Sequence, residues 1–533
     1  MKAIRRIVFS LLLFILIINT NAQVGIGINP PDPSAMLHVQ STDKGILIPR
    51  MTEAQRLAIQ NPVEGLEVYQ TNNTKGFWYY TDGQWKSLVS PGNNGGKHTL
   101  YLADDITDAQ AVAKIASDVG PNTQEIRIVR CTNLTTVDLS MVTNLTEIYI
   151  SGNTVLQSVN FDNLQSVDGG IYINQCPLFT TMSTSHLQSI GQTVNGTYGI
   201  DITQTGLTSL SFPVLASIDG TAYIATNNGL TSVSCPQMTF GNTLYISGNA
   251  ITNISFPSLN KLRGGLGVTS NSLTSVSFPA LATVGGDCSV GGNSLTSVAY
   301  AALTTVRDFY VGTGQNSTTL SVPLLNTANN VYCRNMIGSI SLSFPVLKRI
   351  AGLTIENNTM LTGISMPLLD SINNTNDLLI VNNASLSSMN FNSLKRMGAF
   401  RIDDNPVLTA VSFPQLITSF GSSSTHSISH NIGITSISLP ALTTISYLIC
   451  TGDSSLTSIS IPSLTTLTGN SMYISSCKLP SSQVNYLLSR AVALTPFPSG
   501  KIFDFRQYPA APPTGQGIID KAALAAQNNV ATN

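Results

Sequence analysis

A period of 22 residues runs through most of this chain and constrains its fold more than any other feature. Residues 249–264, 271–286 and 293–308 read NAITNISFPSLNKLRG, NSLTSVSFPALATVGG and NSLTSVAYAALTTVRD. A large apolar residue marks each repeat, at Phe256, Phe278, Tyr300, Val322, Phe344 and Met366. The same slot is assigned to Leu139, Phe161, Phe212, Cys235, Phe391, Phe413, Leu439 and Ile461, with a degenerate repeat around Met182. One such unit cannot bury its own apolar face, so a fixed period of this length implies stacked coils around a continuous core. About fifteen coils are expected over residues 125–479, with small insertions at 373–377 and 422–425. Stacked at about 4.8 Å per coil, they would form a rod of roughly 70 Å.

A second signature, hydrophobic-x-hydrophobic-x-x-Asn, recurs in each coil: Leu244, Ile246 and Asn249; Leu266, Val268 and Asn271; Phe400, Ile402 and Asn405. Alternation over so short a span predicts a strand with one face turned inward. The Asn closes that strand, where its amide can serve backbone groups of neighbouring coils, so stacking predicts an asparagine ladder. A proline after the marker (Pro213, Pro236, Pro257, Pro279, Pro345, Pro414, Pro440) ends the next short strand, because it cannot donate to a ladder. The seven cysteines follow the same frame. Cys131, Cys176 and Cys477 occupy the Asn slot, Cys288, Cys333 and Cys450 are inward strand positions, and Cys235 is a marker. An odd, scattered set makes a poor disulfide framework and lacks zinc spacing, so buried free thiols are expected.

Charged residues make up only 10% of the chain, and 26 Lys+Arg nearly cancel 27 Asp+Glu. No strong field exists to attract nucleic acid or anionic lipid. At 42% hydrophobic the chain has the apolar mass to fold.

The flanking segments differ from the repeats. Residues 1–22 read as a secretory signal: Lys2, Arg5 and Arg6, an apolar run over 7–18, and Ala22 before a mature Gln23. An uncleaved anchor is the competing reading, but the run is short for a bilayer span. No later segment is long and apolar enough to span, and no cysteine follows the signal to carry a lipid. Residues 23–89 form a small β-rich module, with two strands, a short helix begun by Thr52 and an aromatic hairpin, and 90–99 (SPGNNGGKHT) a flexible linker. A cap helix is expected within 100–124, where residues 105–119 place Ile106, Ala109, Val112, Ala113 and Ile115 over the first coil. A second cap over 480–494 offers Val484, Leu487, Leu488, Ala491 and Val492, and a Pro- and Ala-rich tail follows over 495–533.

The recurring Leu-Thr-Ser-Val-Ser-Phe-Pro-x-Leu-x-x-Val-Gly-Gly unit resembles the receptor L-domain type of leucine-rich repeat over roughly residues 100–494. Similar coils occur in fungal cell-wall proteins of the Ecm33 type and in bacterial BspA-like surface proteins. The resemblance implies an all-β, right-handed β-helix-like solenoid used for adhesion or recognition, and it transfers no catalytic residue. The Cys-rich modules that flank receptor ectodomains are missing, so a growth-factor-receptor role is not implied. Residues 24–89 look like a short N-terminal module of exported proteins from Gram-negative bacteria and are similar to phage-tail-fibre-like heads. That resemblance suggests a bacterial source and self-association. The segment PPTGQGIIDKAALAAQNN resembles the ends of similar bacterial repeat proteins.

Four patterns were weighed for chemistry. Phe77, Trp78, Tyr79, Tyr80 and Trp85 suit either a sugar-stacking platform or, more simply, a hairpin packing alternate residues. His426 and His430 lack a third ligand and read as exposed loop histidines. Asp403 and Asp404 beside Asn405 fall short of a calcium cage and read as a solvated turn. Rows of Thr208, Thr231, Thr252, Thr274 and Thr296, with Ser209, Ser232 and Ser275, could present hydroxyls to a glycan or to ice, or simply repeat a solvent-facing position. No catalytic or metal residue is assigned, no cofactor is expected, and the binding residues are left open. The expected function is an exported cell-surface or secreted recognition protein that binds protein or carbohydrate without catalysis. The alternatives are a β-helix enzyme acting on glycans, and a passive spacer presenting the N-terminal module.

Overall fold

The computed structural model describes residues 23–73, 75–88, 95–191, 198–312, 319–338, 340–373, 377–420 and 426–533. The signal expected over 1–22, the first part of the linker, and most of both insertions lie outside the described residues. The chain divides into two units, residues 1–94 and 95–533.

In the first unit, Val24–Ile26 pairs in parallel with Leu37–Val39. A four-stranded sheet runs in the order Arg50–Met51, Glu67–Gln70, Gly76–Thr81, Gln84–Ser87. Helix α1 (Glu53–Leu57) starts at a capping box in which Thr52 and Gln55 each satisfy the other's backbone N–H.

The second unit is a leucine-rich-repeat-type β-solenoid. Among the described residues its front sheet has nineteen parallel strands paired in chain order, from Thr99–Ala103 to Asn529–Ala531. Register holds each inward position in a row. Leu244, Leu266, Cys288, Phe309 and Val331 line up across successive strands, as do Ile246, Val268, Val290, Val311 and Cys333, and all are buried. The marker residue of each coil opens a turn. After the strand Ser275–Ser277, the Leu281 N–H donates to the Phe278 carbonyl at 3.4 Å, with Pro279 second in the turn, where its fixed φ fits. The markers stack along the axis: the ring centroids of Phe256, Phe278 and Tyr300 are 6.2 and 5.9 Å apart. All seven cysteines are buried free thiols.

The asparagine ladder has a direction. In each linked pair of coils, the backbone N–H of one slot donates to the side-chain oxygen of the next. Asn227 donates to Asn249 at 2.9 Å, Asn249 to Asn271 at 3.2 Å, Asn271 to Asn293 at 3.0 Å, Asn383 to Asn405 at 3.1 Å and Asn405 to Asn431 at 2.9 Å. The side-chain amide meanwhile donates back to an inward strand carbonyl, as from Asn271 to Ile246 and from Asn405 to Ile380. The residue before each slot adopts positive φ: Gly152, Gly248, Gly292 and Gly452 in four coils, Asn335, Asn357 and Asn382 in three others. This left-handed step turns the chain off the sheet and aims the next side chain inward.

Both ends depart from expectation. Helix α2 (Asp108–Asp118) starts after its Thr107 cap, so Ala111, Ile115 and Asp118 share the buried face, while Ala109, Val112 and Ala113 are exposed. Helix α3 (Ser481–Val492) buries Val484, Leu487, Leu488 and Ala491. The segment read as a tail continues the solenoid. Ile502–Asp504 and Asn529–Ala531 add two strands to the front sheet, and helix α4 (Gln516–Ala525) packs against α3. Phe503 and Phe505, both fully buried, anchor it, and composition alone hid that alternation.

Candidate functional site

The residue between two inward positions of a front strand points away from the core. In this chain that residue is repeatedly tyrosine: Ile148-Tyr149-Ile150, Ile171-Tyr172-Ile173, Ala222-Tyr223-Ile224, Leu244-Tyr245-Ile246, Phe309-Tyr310-Val311 and Val331-Tyr332-Cys333. Register joins them into one row: Tyr149, Tyr172, Asp201, Tyr223, Tyr245, Gly267, Ser289, Tyr310, Tyr332. Each of these tyrosines is half-buried.

The rings are ordered by one another. Tyr223 and Tyr245 stack at 5.1 Å with planes 2° apart, and Tyr310 and Tyr332 at 4.7 Å and 15°. Between the pairs, Gly267 and Ser289 leave a gap two strands wide. Tyr310, Tyr332, Ser289 and Arg334 line a cavity of about 200 Å³ beside it.

Two arginines stand on the row with their own acids. The Arg127 guanidinium lies 5.5 Å from the Tyr149 centroid, and its Nη2 pairs with Glu147 at 2.9 Å. Arg334 lies 5.2 Å from the Tyr332 centroid and pairs with Glu356 at 3.1 Å. Asp201 sits between Tyr172 and Tyr223, and Tyr198 on its own strand meets Tyr223 at 5.8 Å. The Asp201 Oδ1 is buried and accepts no hydrogen bond from the described residues. Burial holds this carboxyl above the usual carboxylate range.

The patterns weighed from sequence fall elsewhere. Three of the five Thr hydroxyls are used within the solenoid: Thr231 Oγ1 donates to the Thr208 carbonyl at 3.0 Å, Thr252 Oγ1 to the Thr231 carbonyl at 3.4 Å and Thr296 Oγ1 to the Thr274 carbonyl at 3.1 Å. Those donors are spent on the preceding coil rather than offered to a glycan. The aromatic hairpin splits between two faces. Trp78, Tyr80 and Trp85 share one, covered by Arg56, whose guanidinium lies 3.9 Å from the Trp78 centroid. Phe77 lies on the other with Tyr69, lining an open cavity of about 230 Å³ with Ile46 and Leu47.

His426 is no exposed loop residue. It is fully buried, its ring edge-on to Phe400 at 5.1 Å, and burial pushes it down to about 4 against a weaker pull from Asp377. His430 is the left-handed residue before Asn431. Asp403 is likewise not solvated. Arg401 pairs with it at 2.6 Å, and Ser427 and the Ser429 N–H donate to its Oδ1 at 2.8 and 3.0 Å. Asp404 is the left-handed step and Asn405 a ladder residue. Among the described residues, no group of three His, Cys, Asp or Glu is placed to hold a metal ion. No helix among them is long and apolar enough to cross a membrane.

A family model described as a phage tail like trimerisation region matches residues 25–100. Among solved structures, the chain is similar to a leucine-rich repeat protein from Bacteroides ovatus at 14% identity, covering 80% of this chain and 97% of that one, with a TM-score of 0.34. It is also similar to the functional domain of InlJ from Listeria monocytogenes at 16% identity, covering 76% and 73%, with a TM-score of 0.29. The pneumococcal vaccine antigen PcpA is similar at 12% identity, covering 88% and 99%, with a TM-score of 0.22. No curated protein matches the chain.

Proposed function

We propose that this chain is an exported, non-catalytic recognition protein that holds a protein partner against the tyrosine row of its front sheet. The observation that carries this reading is the ordered pair Tyr223 and Tyr245, stacked at 5.1 Å on an outward, half-exposed face, with a second such pair at Tyr310 and Tyr332. Tyrosine supplies large contact area at low entropic cost and keeps a polar tip for hydrogen bonding, which is why it concentrates at interfaces. Rings already fixed by neighbours lose little further freedom on binding. From Tyr149 to Tyr332 the row crosses nine strands, roughly 40 Å at the usual strand spacing. That length accommodates an interface of standard size. The leader pattern of residues 1–22 supports export.

The trimerisation match over residues 25–100 favours a companion reading, that the first unit gathers three copies. Its apolar side chains Ile26, Leu37, Ile46 and Leu47 are 55–83% exposed, a surface that self-association would cover. Three tethered faces would raise avidity with no new contact.

The test is site-specific photocrosslinking. A benzoylphenylalanine at position 245 should capture protein from the surface of host or neighbouring cells, and the adduct should vanish with Tyr223→Ser and Tyr310→Ser. The same group at position 252, in the threonine row, should capture little. Equal capture from both positions defeats the reading. Size-exclusion chromatography with light scattering tests the trimer.

A further inference from the structure

Granting the tyrosine row as the docking surface, we propose that Asp201 is the receptor for one cationic side chain, a lysine or arginine, carried by the partner protein. Its Oδ1 is buried without a hydrogen bond, and among the described residues Asp201 has no ion pair. Residues 192–197, which precede its strand, read QTVNGT and contain nothing basic. Oδ1 itself is closed to a partner, but the residue is only half-buried, so the carboxyl meets solvent through Oδ2, where a cation compensates a carboxylate already half stripped of water.

The surroundings choose which donor. Tyr172 and Tyr223 flank Asp201 in register on the adjacent strands, and Tyr198 closes on Tyr223 at 5.8 Å. Aromatic faces are negative, so they attract the same positive charge that the carboxylate does, and the two attractions add. A neutral donor would satisfy the oxygen but gain nothing from the rings. The row shows this preference twice already. At Tyr149 the chain supplies Arg127 with Glu147, and at Tyr332 it supplies Arg334 with Glu356. At Asp201 it supplies the acid and the rings but no cation.

The test uses the full chain and two synthetic peptides, Ser-Thr-Ser-Lys-Ser-Thr-Ser and its twin with Nε-acetyl-lysine at the centre, titrated at low salt by tyrosine fluorescence and NMR. The lysine peptide should bind about tenfold more tightly than the acetylated one. Asp201→Asn should bring the two within about twofold while leaving thermal unfolding no earlier than wild type. Arginine in place of lysine should behave as lysine does. Equal affinities on the wild type, no binding of either peptide, or a lysine preference that survives Asp201→Asn each overturn the proposal. Crosslinking from position 245 reads the docking face without reference to Asp201, so the two ideas fail separately.

Discussion

Tyr245 lies over Gly267 so closely that a Cβ built on the glycine would stand 2.8 Å from the ring's Cδ2. The missing side chain on one strand is what lets the ring of the previous strand recline, with Tyr223 parallel behind it. Gly267→Ala should therefore lift Tyr245 and break the 2° alignment of the pair. Near-ultraviolet circular dichroism should lose tyrosine signal and capture through position 245 should fall. Stability should stay within about 1 kcal/mol, because alanine is the better strand residue and the displaced ring is half-exposed. An unchanged tyrosine spectrum would contradict this account.

The Asn405 side chain ties its coil to the preceding one: it accepts from the Asn383 N–H at 3.1 Å and donates to the Ile380 and Asp403 carbonyls at 2.9 Å. Asn405→Ala leaves the Asn383 N–H without its acceptor and takes a donor from each carbonyl, although that of Asp403 keeps the Asn382 N–H at 3.1 Å. The expected loss is roughly 3 kcal/mol, read by chemical denaturation. Thr252→Ala, in the exposed row, should cost under about 1 kcal/mol by the same measurement.

Asp453 takes an asparagine's place in the ladder, accepting from the Asn431 N–H at 2.7 Å while its buried Oδ2 finds no partner. Burial raises this carboxyl to about 7, although the bonds from Asn431 pull the other way. The folded form thus binds its proton more tightly than the unfolded form. Its contribution is intact below pH 4 and lost as pH rises to about 7, at most on the order of 4 kcal/mol. Asp453→Asn should flatten that loss, since an amide there faces the carbonyls that other ladder asparagines use. Unfolding midpoints at pH 5 and pH 8 should converge in the variant.

His426 works in the opposite sense. Burial pushes it down to about 4, so the fold prefers the neutral ring. Its contribution is present above pH 6.5 and lost as pH falls to about 4, at most on the order of 3 kcal/mol. His426→Phe keeps an aromatic ring against Phe400. It should raise the unfolding midpoint at pH 4.5 and change it little at pH 8. A variant equally sensitive to acid would refute this.

The coil was legible in the residues because its rules are local. Period, inward alternation, the Asn slot and the marker proline each concern neighbours in sequence, and stacking repeats them. The tyrosine row was present in the same triplets, at the position between Leu244 and Ile246 and its equivalents. Only register shows that Tyr223 and Tyr245 are adjacent while Gly267 and Ser289 open a gap. The burial of His426 is not legible in sequence because its coil carries an insertion that displaces it from the common frame. The strands of residues 502–504 and 529–531 lie beyond the last recognisable marker, and Gln507 stands there in place of the ladder asparagine.

The ladder makes assembly vectorial. Where the following slot holds an amide or an acid, the slot N–H waits for an oxygen that is synthesised later, so such a coil is completed only when its successor arrives. Trimming the back strands slot N–H groups, while removing coils from the front strands the slot amides and the N–H groups that reach backwards, such as Thr252 to the Thr231 carbonyl. The debt is handed along through Asp453, then at the far end from Gln507 to Asn533, whose Oδ1 takes the Gln507 N–H at 3.0 Å. Truncation at either end therefore exposes unpaired donors that a cap has to take over.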